Sequence, residues 1–532
     1  MSRFVLLSTA FHATALQNGL ARTPPMGFNT WNVFRCGGVS GAAIVEVADN
    51  LTRLGLARLG YTYVNIDDCW STGSLDADGA LVAEPGAFPG GITAVAEEVH
   101  ARGLKLGIYS DRGFRTCAGY PGSGGHEALH ARQLAAWGVD YLKYDSCYAS
   151  NAHETAFQQY GAMRDALNAT GRPVLFSLCG WNAWYAPLGD DLGHTWRIAP
   201  DVDEWANVYV ATRTNEELGR WARPGAFNDP DMLVGSDPKA AVHLTPEQSQ
   251  TQFSLWAVMA APLLLGSPLG SMPASDLATY SNEEVVAVNQ DRLGTQGWVV
   301  WQNCPPFEPR DNWWMSPWSM PHDVAMMWTK AMLSLLVLLA ALGAACSRST
   351  ACGGGGGGGG KAPQTLRRSA RLLGSPSGAS PPAPRRAPPR EGGVRGAARR
   401  CLSGAAAALA LAALCVILAI WAHRPRVEPC QQAWARPLLE GDFAVCLVNF
   451  APRAARFGCD EACAARLLDD GDDHHVTPRH AKRRVAHAFK LRDLVAKEDL
   501  AGEHYAIEAE VAGDGGSRLY RVTPGGAQDA AW

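Results

Sequence analysis

From about residue 22 to 297, short runs rich in β-branched and aromatic residues alternate with longer stretches whose apolar positions recur every three to four residues. The β-like runs are Met26 to Trp31, Tyr61 to Asp68, Leu104 to Asp111, Val139 to Ser146, Pro173 to Cys179, Thr195 to Asp201, Ala226 to Leu233 and Pro262 to Ser267. Between the first two, Ile44, Val47, Ala48, Leu51 and Leu54 fall at helical spacing behind Ser40, whose hydroxyl suits a helix N-cap. Strand, helix, strand is the rhythm of a parallel sheet. Eight such units in roughly 275 residues match a (β/α)8 TIM barrel, with a doubly wound open sheet as the alternative. The acids favour the barrel: Asp67, Asp68, Asp111, Asp145, Asp201, Asp229 and Asp231 all stand near the C-terminal ends of their runs. In a barrel those ends converge on one pocket.

After Trp301 the pattern breaks. Residues 302–426 hold a Trp/Pro/Met-rich run, an apolar run at 331–345, eight consecutive glycines at 353–360, an Arg/Pro tract and a second apolar run at 404–421. No packed core follows from such composition. Three readings of the segment stay open: misassembled sequence or a disordered loop, a membrane hairpin through 331–345 and 404–421, and a basic linker for an anionic partner. From residue 427 to 525, alternating runs such as Phe443 to Phe450 and Tyr505 to Val511 predict an antiparallel β-sandwich. The expected fold class is thus α/β, a TIM barrel and a C-terminal sandwich separated by a low-complexity insert.

Composition narrows the function. The chain has 532 residues, 47% of them hydrophobic, and a net charge of -4, so no overall basic field draws nucleic acid. A neutral small molecule or glycan fits better, and homo-oligomerisation is left open. Residues 1–16, with Arg3, the apolar Phe4 to Leu7 and the small-residue stretch Ala13-Thr14-Ala15, read as a secretory signal peptide. The 14 cysteines and the sequons at Asn50 and Asn168 agree with a glycoprotein of the secretory pathway, extracellular, lysosomal or vacuolar.

Glycoside hydrolysis needs one carboxylate at the anomeric carbon and one acid to protonate the leaving oxygen. Asp145, in Tyr141-Leu142-Lys143-Tyr144-Asp145, ends a strand with Lys143 on the same face, and a lysine there is expected to keep it ionised. Asp201 follows Pro200 where a strand yields to a loop. A lone Asp at either place is more often turn chemistry or a helix cap.

The combination is more specific. Arg22-Thr23-Pro24-Pro25-Met26-Gly27, Ile66-Asp67-Asp68-Cys69-Trp70, Gly103 to Tyr109, Thr116-Cys117-Ala118-Gly119, Lys143-Tyr144-Asp145 with Cys147, Asn228 to Leu233, and Asn289-Gln290-Asp291 together resemble glycoside hydrolase family 27, the α-galactosidases and α-N-acetylgalactosaminidases. Weaker resemblance returns from Cys430 to Leu438 and at Leu491-Arg492-Asp493-Leu494. The resemblance implies the same two-domain fold and a retaining double displacement with Asp145 as nucleophile and Asp201 as acid/base. It implies that Asp67 and Asp68 bind the 4- and 6-hydroxyls, Lys143 the 3- and 4-hydroxyls and Arg197 the 2-hydroxyl region. Trp31 and Tyr109 would wall the sugar, and Cys117, Gly180 and Asp231 would complete the contacts, with Asp229 behind Asp231. It also implies disulfides Cys36 with Cys69, Cys117 with Cys147, and Cys459 with Cys463. No metal or cofactor is implied, and zinc is disfavoured by the cysteine spacing. Asp472-Asp473-His474-His475 reads as a solvated loop.

The chain departs from the family after Cys179. There Gly180 stands where many members carry an acid or amide, and Gly180 with Ala183 leaves room by size for a 2-acetamido group. Cys179 has no evident partner. Removal of terminal α-galactose is the expected activity. An α-N-acetylgalactosaminidase, or an inactive galactose-binding or membrane-tethered protein, is the alternative.

Overall fold

The computed structural model describes residues 18–150, 152–309, 426–469 and 488–524. The expected signal peptide, both apolar runs at 331–345 and 404–421, the glycine run and residues 472–475 lie outside the described residues. Among the described residues no helix is long and apolar enough to cross a membrane.

All eight expected β-runs carry a strand: β1 (Met26–Asn29), β2 (Tyr63–Asn65), β3 (Lys105–Asp111), β4 (Tyr141–Asp145), β5 (Leu175–Leu178), β6 (Thr195–Arg197), β7 (Phe227–Asp229) and β8 (Leu263–Leu265). They pair in parallel in the order β7-β6-β5-β4-β3-β2-β1-β8. The seam between β7 and β8 is closed by Leu233, which pairs with Leu265, its amide bonding Leu264 O and its carbonyl accepting from Gly266 N. The barrel therefore has no free edge.

Strand alternation sorts the side chains. Phe28, Val64, Ile66, Leu106, Ile108, Leu142, Tyr144, Phe176, Leu178 and Trp196 join the core beneath the helices. Tyr63, Tyr141, Leu175 and Leu264 form a separate inner layer with Met232. Counting two residues on from that layer reaches Asn65 and Asp67, Lys143 and Asp145, and Ser177 and Cys179, so the polar ends of the same inward rows meet above an apolar floor. Gly107 is required in this layer because a Cβ there would lie 1.9 Å from Asn65 Oδ1. Outside, the helix expected behind Ser40 runs Gly41–Arg53, and the Ser40 side chain accepts from Ala43 N as its N-cap.

The C-terminal region holds a six-stranded antiparallel sheet and a two-stranded one. The larger sheet takes an edge strand, β9 (Trp298–Gln302), from before the intervening segment. It pairs with β10 (Gln431–Pro437), which pairs in turn with β11 (Phe443–Asn449). Cys304 and Cys430 form a disulfide beside this pairing, across a sequence separation of 126. Period-2 alternation gives the sheet two apolar faces. Trp434, Ala444, Cys446 and Val448 share the buried cluster of the barrel, whereas Ala433, Ala435, Val445 and Leu447 pack with Phe457 and Leu467 on the far side.

The two domains are also joined by polar contacts. Thr251, on the helix Pro246–Val258, donates to Gly515 O, and Arg436 donates from Nη1 to Ala257 O at 2.6 Å and Asn289 O at 3.3 Å. Arg436 is fully buried, so the carbonyls it bonds are cut off from water. Arg436→Ala removes their donor and leaves a cavity. It is expected to lower unfolding stability by about 2 to 4 kcal/mol, read as a reduced denaturation midpoint in one transition for both domains. Two separate transitions, or no change, would contradict a shared core.

Candidate active site

The inward rows of seven strands end in a single polar cluster. By register Lys143 lies beside Tyr109, and Asp145 beside Asp111. Lys143 Nζ donates to Asp67 Oδ2 at 2.7 Å, an oxygen that also accepts from Asn29 Nδ2 at 2.8 Å, and Lys143 sits 5.3 Å from the Tyr109 ring centre. Asp68 accepts from Cys69 N at 2.7 Å and Ala118 N at 2.9 Å, tying the end of β2 to the loop after β3. Burial raises its carboxyl above the usual range against these amides.

Across the pocket, Arg197 is the organising cation. Its Nη2 donates to Asp201 Oδ1 at 3.0 Å and its Nη1 meets Asp231 Oδ1 at 2.9 Å. Asp231 is held further by Val202 N at 2.7 Å, and its own amide donates to Asp229 Oδ1 at 2.9 Å. Its backbone, at φ 94, lies in the left-handed region that favours glycine. A strained carboxylate between a cation and an amide is a position fixed by its surroundings.

The two acids read as the catalytic pair differ in setting. Asp145 is 5% exposed, whereas the Asp201 side chain is 52% exposed at the pocket mouth. Burial pushes the Asp145 carboxyl up to about 6; Lys143 pulls it down and Asp201 pushes it up. The expectation that Lys143 keeps Asp145 ionised is therefore only half met, because Lys143 pulls the carboxyl down but desolvation outweighs it. At Asp201 the upward push of desolvation is overcome by Arg197, then Lys143 and Arg35, and the carboxyl sits below 3.8. Burial likewise lifts Asp231 to about 7 despite Arg197. Asp111, fully buried and accepting from Gly113 N and Cys147 N, is driven well above the carboxylate range by burial and by Asp145.

Buried donors in this cluster without a partner among the described residues include the Tyr109 hydroxyl, Arg197 Nε and Asn65 Nδ2. Unsatisfied buried donors are rare, and in a polar pocket they are where ligand hydroxyls complete the bonding. Trp31 stands at the rim, half-buried, with the Arg35 guanidinium 4.9 Å over its ring.

Disulfides staple the loops. Cys36–Cys69 joins the loops after β1 and β2, and Cys117–Cys147 joins those after β3 and β4. Cys117 is exposed, at the outer edge of the cluster. In the sandwich Cys459 and Cys463 are bonded. The sequence reasoning did not pair Cys304 with Cys430, whose partners lie on either side of the long intervening segment. The sulfur atoms of Cys117 and Cys147 lie within 4.8 Å of carboxylate oxygens of Asp111 and Asp145. With both sulfurs in a disulfide, that group is a staple beside Asp145 rather than a metal-ligand set.

At the end of β5 a Cβ on Gly180 would lie 1.9 Å from the Tyr185 ring, so packing against Tyr185 dictates glycine there. Trp181, overlooked in the sequence, is 2% exposed at φ 58 and packs with Cys147 and Cys179. Cys179 is a buried free thiol 3.9 Å from Arg197 Nη1. The signal available was an aromatic residue two positions past a strand-ending cysteine, which does not announce a positive φ.

Known proteins bear on this arrangement. The family described as alpha galactosidase A matches residues 23–291. Alpha-galactosidase 3 of Arabidopsis thaliana is 45% identical over 318 residues, covering 59% of this chain and 70% of that protein. The alpha-galactosidase of Oryza sativa subsp. japonica is 42% identical over 320 residues, covering 59% and 74%. The solved alpha-galactosidase of Saccharomyces cerevisiae with raffinose superposes with a TM-score of 0.63 at 23% identity, over 96% of this chain and 100% of that one. Alpha-galactosidase I of Mortierella vinacea gives 0.62 at 24%, over 95% and 98%. These two structures bear on the fold alone, a barrel followed by an antiparallel β-domain. Taken with the sequence matches across the whole barrel, the chain belongs to the alpha galactosidase A family, glycoside hydrolase family 27.

Proposed function

We propose that this chain removes terminal α-linked galactose from oligosaccharides or glycoconjugates by double displacement, with Asp145 as nucleophile and Asp201 as acid/base. The observation that carries the reading is the pair itself. Both carboxyls stand in one cluster, Asp201 raises the affinity of Asp145 for its proton, and Lys143 acts on both. In the first step a carboxylate oxygen of Asp145 attacks the anomeric carbon, the glycosidic C–O bond breaks, and the Asp201 proton passes to the leaving oxygen. In the second, Asp201 takes a proton from water, whose oxygen displaces the Asp145 ester and restores the carboxylate.

The free pair keeps its shared proton on the more buried Asp145. A galactoside seated across both groups covers Asp201, now half-exposed, and so favours moving that proton to it. Asp67, Asp68 and Lys143 would take the hydroxyls that distinguish galactose, while Tyr109 and Arg197 offer their unpaired donors. The four disulfides among the described residues support an oxidising compartment, hence the secretory pathway.

Asp145→Ala and Asp201→Ala are each expected to cut turnover of an aryl α-galactoside by at least about a thousandfold, with the parent releasing α-galactose first, as followed by NMR. An inverted first product, or a parent that binds galactose without hydrolysing any α-galactoside, would reject the mechanism. Comparison with the aryl α-N-acetylgalactosaminide is expected to favour the galactoside; the reverse preference overturns the assignment of galactose. Because catalysis needs one proton on the pair, kcat/KM is expected to fall as pH rises through about 6, where Asp145 gives up that proton. It should fall again below the ordinary aspartate value of 3.8, where Asp201 gains a second one. An alkaline limb above pH 8 would contradict this assignment.

A further inference from the structure

Two sequons, Asn50-Leu51-Thr52 and Asn168-Ala169-Thr170, take no part in the chemistry at the barrel mouth, and the fold treats them differently. Asn50 is half-buried inside the helix Gly41–Arg53, which also holds Thr52. Its Oδ1 accepts from Arg53 Nη2 at 2.8 Å and Nε at 3.3 Å, and Thr52 Oγ1 donates to Ala48 O at 3.1 Å. Its Nδ2, the atom that would bear a sugar, lies 3.8 Å from where a Cβ on Gly270 would stand, in the loop after β8.

Asn168 is exposed, next to last in the helix His153–Ala169, and Thr170 is that helix's C-cap. Gly171 then turns the chain at φ 73, with nothing within 4 Å of where its Cβ would stand. Thr170 Oγ1 donates to Leu167 O at 2.7 Å, and no hydrogen bond among the described residues holds the Asn168 side chain. The place is also remote from the pocket. Arg172, just past the sequon, donates to Gly138 O, Val139 O and Asp140 Oδ1, immediately ahead of β4, whereas Asp145 ends that strand. At about 3.3 Å per residue the chain from Asp140 to Asp145 spans about 16 Å. A sugar on Asn168 therefore leaves the fold at the end of the barrel away from the clustered acids.

We propose that Asn168 carries an N-linked glycan and that Asn50 does not. The inference rests on the reading that the protein matures in the secretory pathway. In the transfer, Asn168 Nδ2 attacks the anomeric carbon of an oligosaccharide held on a lipid pyrophosphate. The C–N bond forms, the C–O bond to the pyrophosphate breaks, and the amide gives one proton to the transferase. An Asn-X-Thr acceptor belongs on a surface that can bear a bulky solvated chain, and a helix end opening into a glycine turn is such a surface. On Asn50 the same chain would have to dislodge Arg53 and the loop after β8, so molecules bearing it would not reach this fold.

Mass spectrometry of tryptic peptides, on the full chain isolated from its own cells, tests this. The peptide Asp165–Arg172 is expected to carry a glycan built on N-acetylhexosamine, and Cys36–Arg53, after reduction, to carry none. Asn168→Gln, expressed in the same cells, should lose that glycan, and Thr170→Ser should keep it. Neither change should move kcat/KM on an aryl α-galactoside by more than about twofold, with thermal melting as the check on folding. A larger loss in a folded Asn168→Gln variant contradicts a glycan remote from the pocket. Bare Asp165–Arg172 from protein whose Cys117 and Cys147 are bonded overturns the inference, as does a glycan on Asn50. Bare peptide from protein with those cysteines free overturns the compartment on which the inference rests.

Discussion

Two cations, the part-buried Lys143 and the buried Arg197, hold the polar face of the barrel together. Asp67, Asp68, Asp111, Asp145, Asp229 and Asp231 are all nearly inaccessible to water, and so many carboxylates in one barrel mouth would repel one another and shed their charge. Lys143 answers on one side, bonded to Asp67 and acting on Asp145; Arg197 answers on the other, between Asp201 and Asp231. Removing either would leave uncompensated charge where water cannot reach it. The positions of the acids follow from these two side chains as much as from the strands that carry them.

Rigidity elsewhere serves the same end. The Cys117–Cys147 bridge ties the loop that follows Asp145 to the loop after β3, and Asp68 reaches across to the amide of Ala118 in that same loop. Positive φ values at Cys69, Tyr148, Trp181 and Asp231 cluster around the pocket. Strain of this kind persists only where the surroundings over-determine it, and here they are disulfides, buried ion pairs and glycines in close contact. The result is a set of groups placed before substrate arrives, so binding energy is not consumed in assembling the site.

The second domain is bound to the first through a common core. One face of the six-stranded sheet belongs to the buried cluster of the barrel helices, and Arg436 is threaded to carbonyls on the barrel side. With β9 contributed from before residue 302 and Cys304 bonded to Cys430, the chain on the two sides of the intervening segment is one continuous piece of sheet. The break in composition after Trp301 marks an excursion from that sheet, and the sheet begins ahead of it.

The barrel was legible in the sequence because alternation and helical periodicity are local: the β-runs, the helix behind Ser40, and acids at strand ends can all be read within a few residues. The resemblance points to Asp67, Lys143 and Asp145 for the same reason, as each lies in a short motif at the end of its own strand. What only the tertiary structure decided is what depends on side chains far apart in the chain. That Lys143 bonds Asp67, that desolvation outweighs its pull on Asp145, that Tyr185 fills the space beside Gly180, and that Cys304 finds Cys430 are outcomes of packing in three dimensions. Residue type and spacing record which groups are present and which way a strand faces them. They do not record which neighbour wins when several charges or rings compete for the same few ångströms.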